Sequence, residues 1–160
     1  MGNKRKHCCR WLVTGLVILF LAACGKKPPP VPPQEQTLVN IDIKVAADIN
    51  QDRNGRPSPL ALRVYQLKTG SQFNSSDFIS LYEKDASILG AELVQKDEMV
   101  LQADGKYTLR PVLGTDVSAI GVMALFREYE QANWRASVAI TPHRSNQINI
   151  HISGTSLTIR

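Results

Sequence analysis

Val39, Ile41, Ile43 and Val45 are apolar, and Asn40, Asp42 and Lys44 between them are polar. That period of two predicts a strand with one buried face. β-rich runs recur at 60–67, 98–102, 106–112, 119–127, 134–140, 147–153 and 156–159, with turn residues between them, as in a β-sandwich. Asp104-Gly105 separates two of these runs and reads as a tight hairpin turn. The run Ala119-Ile120-Gly121-Val122-Met123-Ala124-Leu125-Phe126 is apolar on both faces, which predicts a central strand covered on each side. One segment breaks the period: Phe78, Leu81, Tyr82, Ile88 and Leu89 fall near helical spacing, Ser75 or Ser76 is placed to cap the start, and Gly90 to end it. One or two short helices are expected between Ser76 and Ala91, packed on the sandwich.

The pattern before residue 39 is of another kind. Lys4, Arg5, Lys6 and Arg10 precede a 13-residue, mostly apolar run, 11–23, that closes with Leu21-Ala22-Ala23-Cys24. A basic start, a short apolar stretch and small residues before a cut site describe a secretory signal peptide, and a cysteine directly after the cut makes it resemble a bacterial lipoprotein signal. As a helix the run would rise only about 20 Å against roughly 30 Å of bilayer hydrocarbon, too short for a spanning anchor. Cys24 is therefore the expected lipid attachment point, and more than one acyl chain there gives stable anchoring where a single chain is marginal. The stretch that follows carries Pro28, Pro29, Pro30, Pro32 and Pro33 without apolar periodicity. At about 3.1 Å per residue it forms a semi-rigid spacer of roughly 40 Å. The expected organisation is a signal peptide at 1–23, a lipidated cysteine with proline-rich tether at 24–37, and a β-sandwich domain at 38–160.

Removing the signal changes what composition means. The formal charge of +5 includes four basic residues of the signal; without them 15 basic residues of the original 19 face 14 acidic ones. Near-neutral charge, with no basic stripe interleaved with aromatics, argues against nucleic-acid binding. Cys8 and Cys9 leave with the signal and Cys24 is acylated, so the domain has no thiol to pair although its compartment permits disulfides. Its 137 residues suit one domain held by burial and hydrogen bonding.

Candidate chemistry is sparse. His143 and His151 lack neighbours at metal-ligand spacing, and His151, between Ile150 and Ile152, should point outward from a strand. Glu128 and Glu130 read as a solvated loop before they read as an acid-base pair. No serine sits in a nucleophile elbow and no glycine cluster forms a phosphate cradle, so neither enzyme, cofactor nor metal is expected. Arg63, Arg127 and Arg135 lie in or beside apolar strands, where an arginine flanks a core or meets a carboxylate. The segment Asp48-Ile49-Asn50-Gln51-Asp52-Arg53-Asn54-Gly55-Arg56-Pro57-Ser58-Pro59 stands out, since 12 residues exceed an ordinary connection and long loops on a rigid sheet often carry binding.

These residues also carry a resemblance. Asn54-Gly55-Arg56-Pro57-Ser58-Pro59-Leu60, Arg63-Val64-Tyr65-Gln66-Leu67, Phe73, Asp77-Phe78, Leu81-Tyr82, Gly121-Val122-Met123-Ala124-Leu125-Phe126-Arg127 and Trp134-Arg135, in that order behind a lipobox, resemble the TssJ family, the outer-membrane lipoproteins of the type VI secretion system. The resemblance implies a transthyretin-like two-sheet β-sandwich with one or two short added helices, anchored by lipid to the periplasmic face of the outer membrane. It implies a scaffolding role through binding the periplasmic C-terminal region of TssM, with the loop between the first two strands, here 48–59, taking part in the contact. Gly25 after the acylated cysteine, in place of aspartate, is similar to lipoproteins exported to the outer membrane. Two other classes share parts of the pattern: a pilotin-like lipoprotein would bind a secretin tail, and a transthyretin-like hydrolase would need catalytic histidines and a Tyr-Arg-Gly-Ser terminus, whereas this chain ends Ser156-Leu157-Thr158-Ile159-Arg160.

Overall fold

The computed structural model describes residues 36–160. The expected signal peptide, Cys24 and all but the last two residues of the expected tether lie outside them. Strands β1 (Leu38–Val45) and β2 (Leu60–Leu67) are followed by helices α1 (Ser71–Ser75) and α2 (Phe78–Leu89), then β3 (Leu93–Leu101), β4 (Lys106–Leu109), β5 (Ala119–Ala124), β6 (Arg135–Ala139), β7 (Ser145–Ser153) and β8 (Ser156–Ile159). They make two four-stranded sheets, one ordered β4-β1-β7-β8 and the other β3-β2-β5-β6. This is the two-sheet sandwich with added helices that the alternating pattern predicts.

In the first sheet the period of two does what it should. Val39, Ile41, Ile43 and Val45 are buried, as are Ile148, Ile150 and Ile152 of β7, which pairs with β1 in parallel register from Leu38↔Ser145 to Val45↔Ile152. The opposite face, with Lys44 and His151 side by side, is exposed. The second sheet is covered on both faces. Leu60, Leu62, Val64, Ile120, Val122 and Ala124 pack toward the first sheet, while Tyr65, Leu67, Ala119 and Met123 face the helices. All six residues of β5 are therefore buried, as a strand apolar on both faces requires. A Cβ at Gly121 would stand 2.9 Å from both Leu67 Cδ1 and Phe73 Cε1, so the glycine lets α1 seat Phe73 directly on the sheet.

Three features depart from the sequence reading. Asp104-Gly105 is not a hairpin, because β3 belongs to one sheet and β4 to the other; the turn carries the chain across the sandwich. The helix is capped by Asp77, whose carboxylate accepts the Ser80 N–H at 3.0 Å, and not by Ser75 or Ser76. It breaks at Lys84, giving two short helical pieces, and ends at Gly90 as expected. Helix α1 lies outside the expected interval. Its first turn is satisfied from a distance by the buried Glu92 carboxylate, which accepts the N–H groups of Gln72 at 3.0 Å and Phe73 at 3.3 Å and the Thr69 hydroxyl at 2.7 Å.

Candidate functional site

The 48–59 loop leaves β1 at Val45 and enters β2 at Leu60, sharing one end of the sandwich with the connections 102–105, 125–134 and 154–155. Its base is fixed. Ile49 is fully buried and Asn50 is 7% exposed. The Asp48 carboxylate accepts the Gly154 N–H at 3.1 Å, the Asn50 N–H donates to the Gly154 carbonyl at 3.0 Å, and the Ser58 N–H donates to the Ile49 carbonyl at 3.2 Å. Asn50 adopts φ 46°, a left-handed conformation that asparagine tolerates better than most residues. Its side-chain amide donates to the Pro59 carbonyl at 3.1 Å and its oxygen accepts the Arg127 N–H at 2.9 Å. One side chain thus ties both limbs of the loop to the 125–134 connection.

The tip is exposed and braced on itself. One oxygen of Asp52 accepts the N–H groups of Asn54 at 2.8 Å and Arg56 at 2.9 Å, and the backbone closes with Asp52 N–H to Arg56 carbonyl at 2.8 Å and Gly55 N–H to Asp52 carbonyl at 2.9 Å. Gly55 at φ 74° makes this turn without the strain a side chain would bring. Pro57 and Pro59 restrict the exit into β2. Gln51, Arg53, Asn54, Gly55, Arg56, Pro57 and Pro59 face solvent, so the tip offers two guanidinium groups on a folded turn. In the 125–134 connection Tyr129 stacks on Phe78 with ring centroids 4.3 Å apart, and Trp134 meets the same ring edge-on at 5.2 Å. Trp134 also lies under Arg135 at 4.8 Å, and Arg135 donates to the Phe73 and Ser76 carbonyls, which fixes the helices to β6.

A second polar cluster lies under α2. Asp85, 8% exposed, accepts from Lys96 Nζ at 2.7 Å, the Tyr65 hydroxyl at 3.1 Å and Arg63 at 3.4 Å, and Arg63 also reaches Glu98 at 2.8 Å. Burial pushes the Asp85 carboxyl up, but the hydrogen bonds from Lys96, the Ala86 N–H and Tyr65 outweigh it and hold the group below the usual carboxylate range. Burial pushes the Tyr65 phenol up, so it stays a neutral donor. This network is closed on itself and joins helix to sheet. Its members are scattered in sequence, and only the placement of Arg63 in an apolar strand hinted at it.

The remaining candidates are dispersed. His143 sits in an exposed turn with its N–H donating to Thr37 Oγ1 at 2.9 Å, while His151 points outward from β7. Glu128 and Glu130 are exposed in the 125–134 connection. Among the described residues no group of three or more His, Cys, Asp or Glu is placed to hold a metal, and no helix is long and apolar enough to cross a membrane. Asn50 lies within the segment the sequence singled out, but its hydrogen bond to the Arg127 N–H joins residues that no spacing linked.

Comparison with known proteins adds an independent line. A family model described as type VI secretion lipoprotein, VasD, EvfM, TssJ, VC_A0113 matches residues 37–155. No curated protein sequence matches the chain. Among solved structures, the type VI secretion lipoprotein TssJ1 of Pseudomonas aeruginosa is 27% identical with a TM-score of 0.75, the match covering 78% of this chain and 95% of that one. A chain of a type VI membrane complex is 28% identical with a TM-score of 0.69, covering 78% and 98%. A chain in the structure described as the TssM C-terminal domain (869–1107) from EAEC is 28% identical with a TM-score of 0.64, covering 76% and 99%.

Proposed function

Since the chain belongs to the type VI secretion lipoprotein family, we propose that it is acylated on Cys24, stands on the periplasmic face of the outer membrane, and binds the periplasmic C-terminal region of TssM through its 48–59 loop. In this reading it is a scaffold of the secretion membrane complex and catalyses nothing.

The observation that carries the reading is the construction of the loop: a buried base clamped by Asn50, and an exposed tip folded around Asp52. A tip already held in one turn loses little conformational freedom when a partner closes on it. Its exposed arginines are of a residue type found where binding energy concentrates. The loop and its neighbours suit a specific interface of roughly 1,200–2,000 Å² in total. Position agrees. The chain enters the domain at the start of β1, and the loop leaves from its far end, about 25 Å away at roughly 3.3 Å per strand residue. The tip therefore lies at the end of the domain away from residue 36, where the tether joins it. A fold shared with a chain of the structure described as the TssM C-terminal domain supports the choice of partner.

Capture from detergent-solubilised envelopes tests the partner: TssM should be recovered with the full-length protein, and recovery of a secretin in its place would contradict the reading. His143→Ala and His151→Ala should leave secretion near wild type, and loss in either folded variant would restore the enzyme reading.

A further inference from the structure

Three of the six exposed large hydrophobic side chains among the described residues, Leu38, Val94 and Val112, gather at the end of the sandwich opposite the 48–59 loop. Val112 is 88% exposed and Leu38 56%. A lone exposed valine on a mobile loop would carry no meaning, but this one is held in place. The buried Gln66 donates from Nε2 to the Val112 carbonyl at 3.1 Å and accepts the Gly114 N–H at 3.3 Å, while Pro111 restricts the backbone just before it. An apolar tip is thus fixed outward by a fully buried polar side chain. Arg110 and Arg144 are exposed around it, and the one carboxylate in the 110–117 connection, Asp116, is paired with Lys68 at 3.4 Å. Thr37 and Leu38 line the same open cleft as Arg110 and Val112, so the chain enters the domain at this spot.

What covers this end follows from where the preceding chain leads. Gln36 is 12 residues after Cys24, and at about 3.6 Å per residue of fully extended chain the connection reaches at most roughly 43 Å. A domain held that close to a bilayer meets it at high effective concentration, so even a weak contact is populated. We infer that the end carrying Val112 and Leu38 seats on an anionic phospholipid surface, with the valine at the acyl boundary and Arg110 and Arg144 on headgroup phosphates. The inference rests on the reading of Cys24 as acylated. It makes the domain lean on the membrane by one end, so that the lipid contact, and not the tether alone, sets the direction of the 48–59 loop.

The full-length protein suits a direct test, because Cys24 is the mature chain's single cysteine. Once it is acylated, Val112→Cys or Asn54→Cys supplies the sole reactive thiol for an environment-sensitive dye. The labelled proteins are reconstituted in phosphatidylethanolamine and phosphatidylglycerol vesicles containing a spin-labelled lipid, and Cys24 acylation is read separately by mass. The dye at Val112 should shift to the blue and be quenched, while the dye at Asn54 stays in water. Replacing phosphatidylglycerol by phosphatidylcholine, or combining Arg110→Gln with Arg144→Gln, should lower the Val112 quenching toward the Asn54 level. An unquenched Val112 dye on protein that carries the acyl mass overturns the inference while the anchor reading stands, and a dye shielded from water without lipid quenching overturns it in favour of a protein occupant. Absence of the acyl mass removes the anchor reading and with it the inference that rests on it.

Discussion

Asn50 concentrates at one residue what the loop needs: a left-handed backbone, a donor for the Pro59 carbonyl and an acceptor for the Arg127 N–H. Asn50→Ala removes both partners at a site 7% exposed and should cost about 2–3 kcal/mol, read as a lower urea midpoint. The same variant should weaken TssM binding although no exposed tip residue has changed. Asp85 gives a pH-dependent counterpart. Its carboxyl is held below its ordinary value in the fold, so its stabilisation is complete above the unfolded value near pH ~4 and is lost as pH falls through the lower folded value. Asp85→Asn should lower stability at pH 7 by about 1–3 kcal/mol, since Lys96 and Arg63 keep partial access to solvent, and should flatten the acid limb of the stability curve. An unchanged acid limb in this variant would remove Asp85 as its source. At this scale the sequence is legible where the neighbours are local. His151 between two isoleucines points outward as its position says, whereas the partners of Asn50 and Asp85 lie 77 and 11 residues on and no local pattern marks them.

Among the elements, β1, β7 and β8, each with one wet face, were readable to within a residue or two, because burial on one side alone imposes alternation, while β4 ends three residues earlier than read. β3 was read short: only Leu101 of its nine residues is buried, so its first half shows no apolar alternation. The Asp104-Gly105 turn was recognised as a turn but given the wrong partner strands, since turn chemistry reports backbone angles and not which sheet the chain enters next. Helix α1 was missed because five residues show no period and its capping carboxylate comes from Glu92. Glu92→Ala should therefore loosen α1 and lower stability by about 1–2 kcal/mol, with faster amide exchange at Gln72 and Phe73 than elsewhere in the helices. The 48–59 loop should behave in the opposite way. Its tip hydrogen bonds close within residues 52–56, so replacing 51–56 by a short Gly/Ser linker should change the unfolding free energy by no more than about 0.5 kcal/mol.

For the whole molecule, the two proposed surfaces lie at opposite ends of the sandwich: the chain enters beside Val112 and the loop leaves at the far end of β1. Cys24→Ser should leave the precursor unacylated and mislocalised and abolish secretion, while unchanged outer-membrane fractionation with normal lipid labelling would remove the anchor. The fold and the family were legible because an alternating pattern and an ordered set of residues extend over most of the domain. The proposed partner surface shows in the sequence only as an unusually long loop, because a binding surface need carry no fixed spacing of chemical groups. The most direct test of the account is calorimetric titration of the periplasmic region of TssM into the mature protein and into its 51–56 linker variant. The account predicts saturable heat with the wild type and none with the variant at an unchanged melting temperature, and wild-type affinity in the folded variant would contradict it.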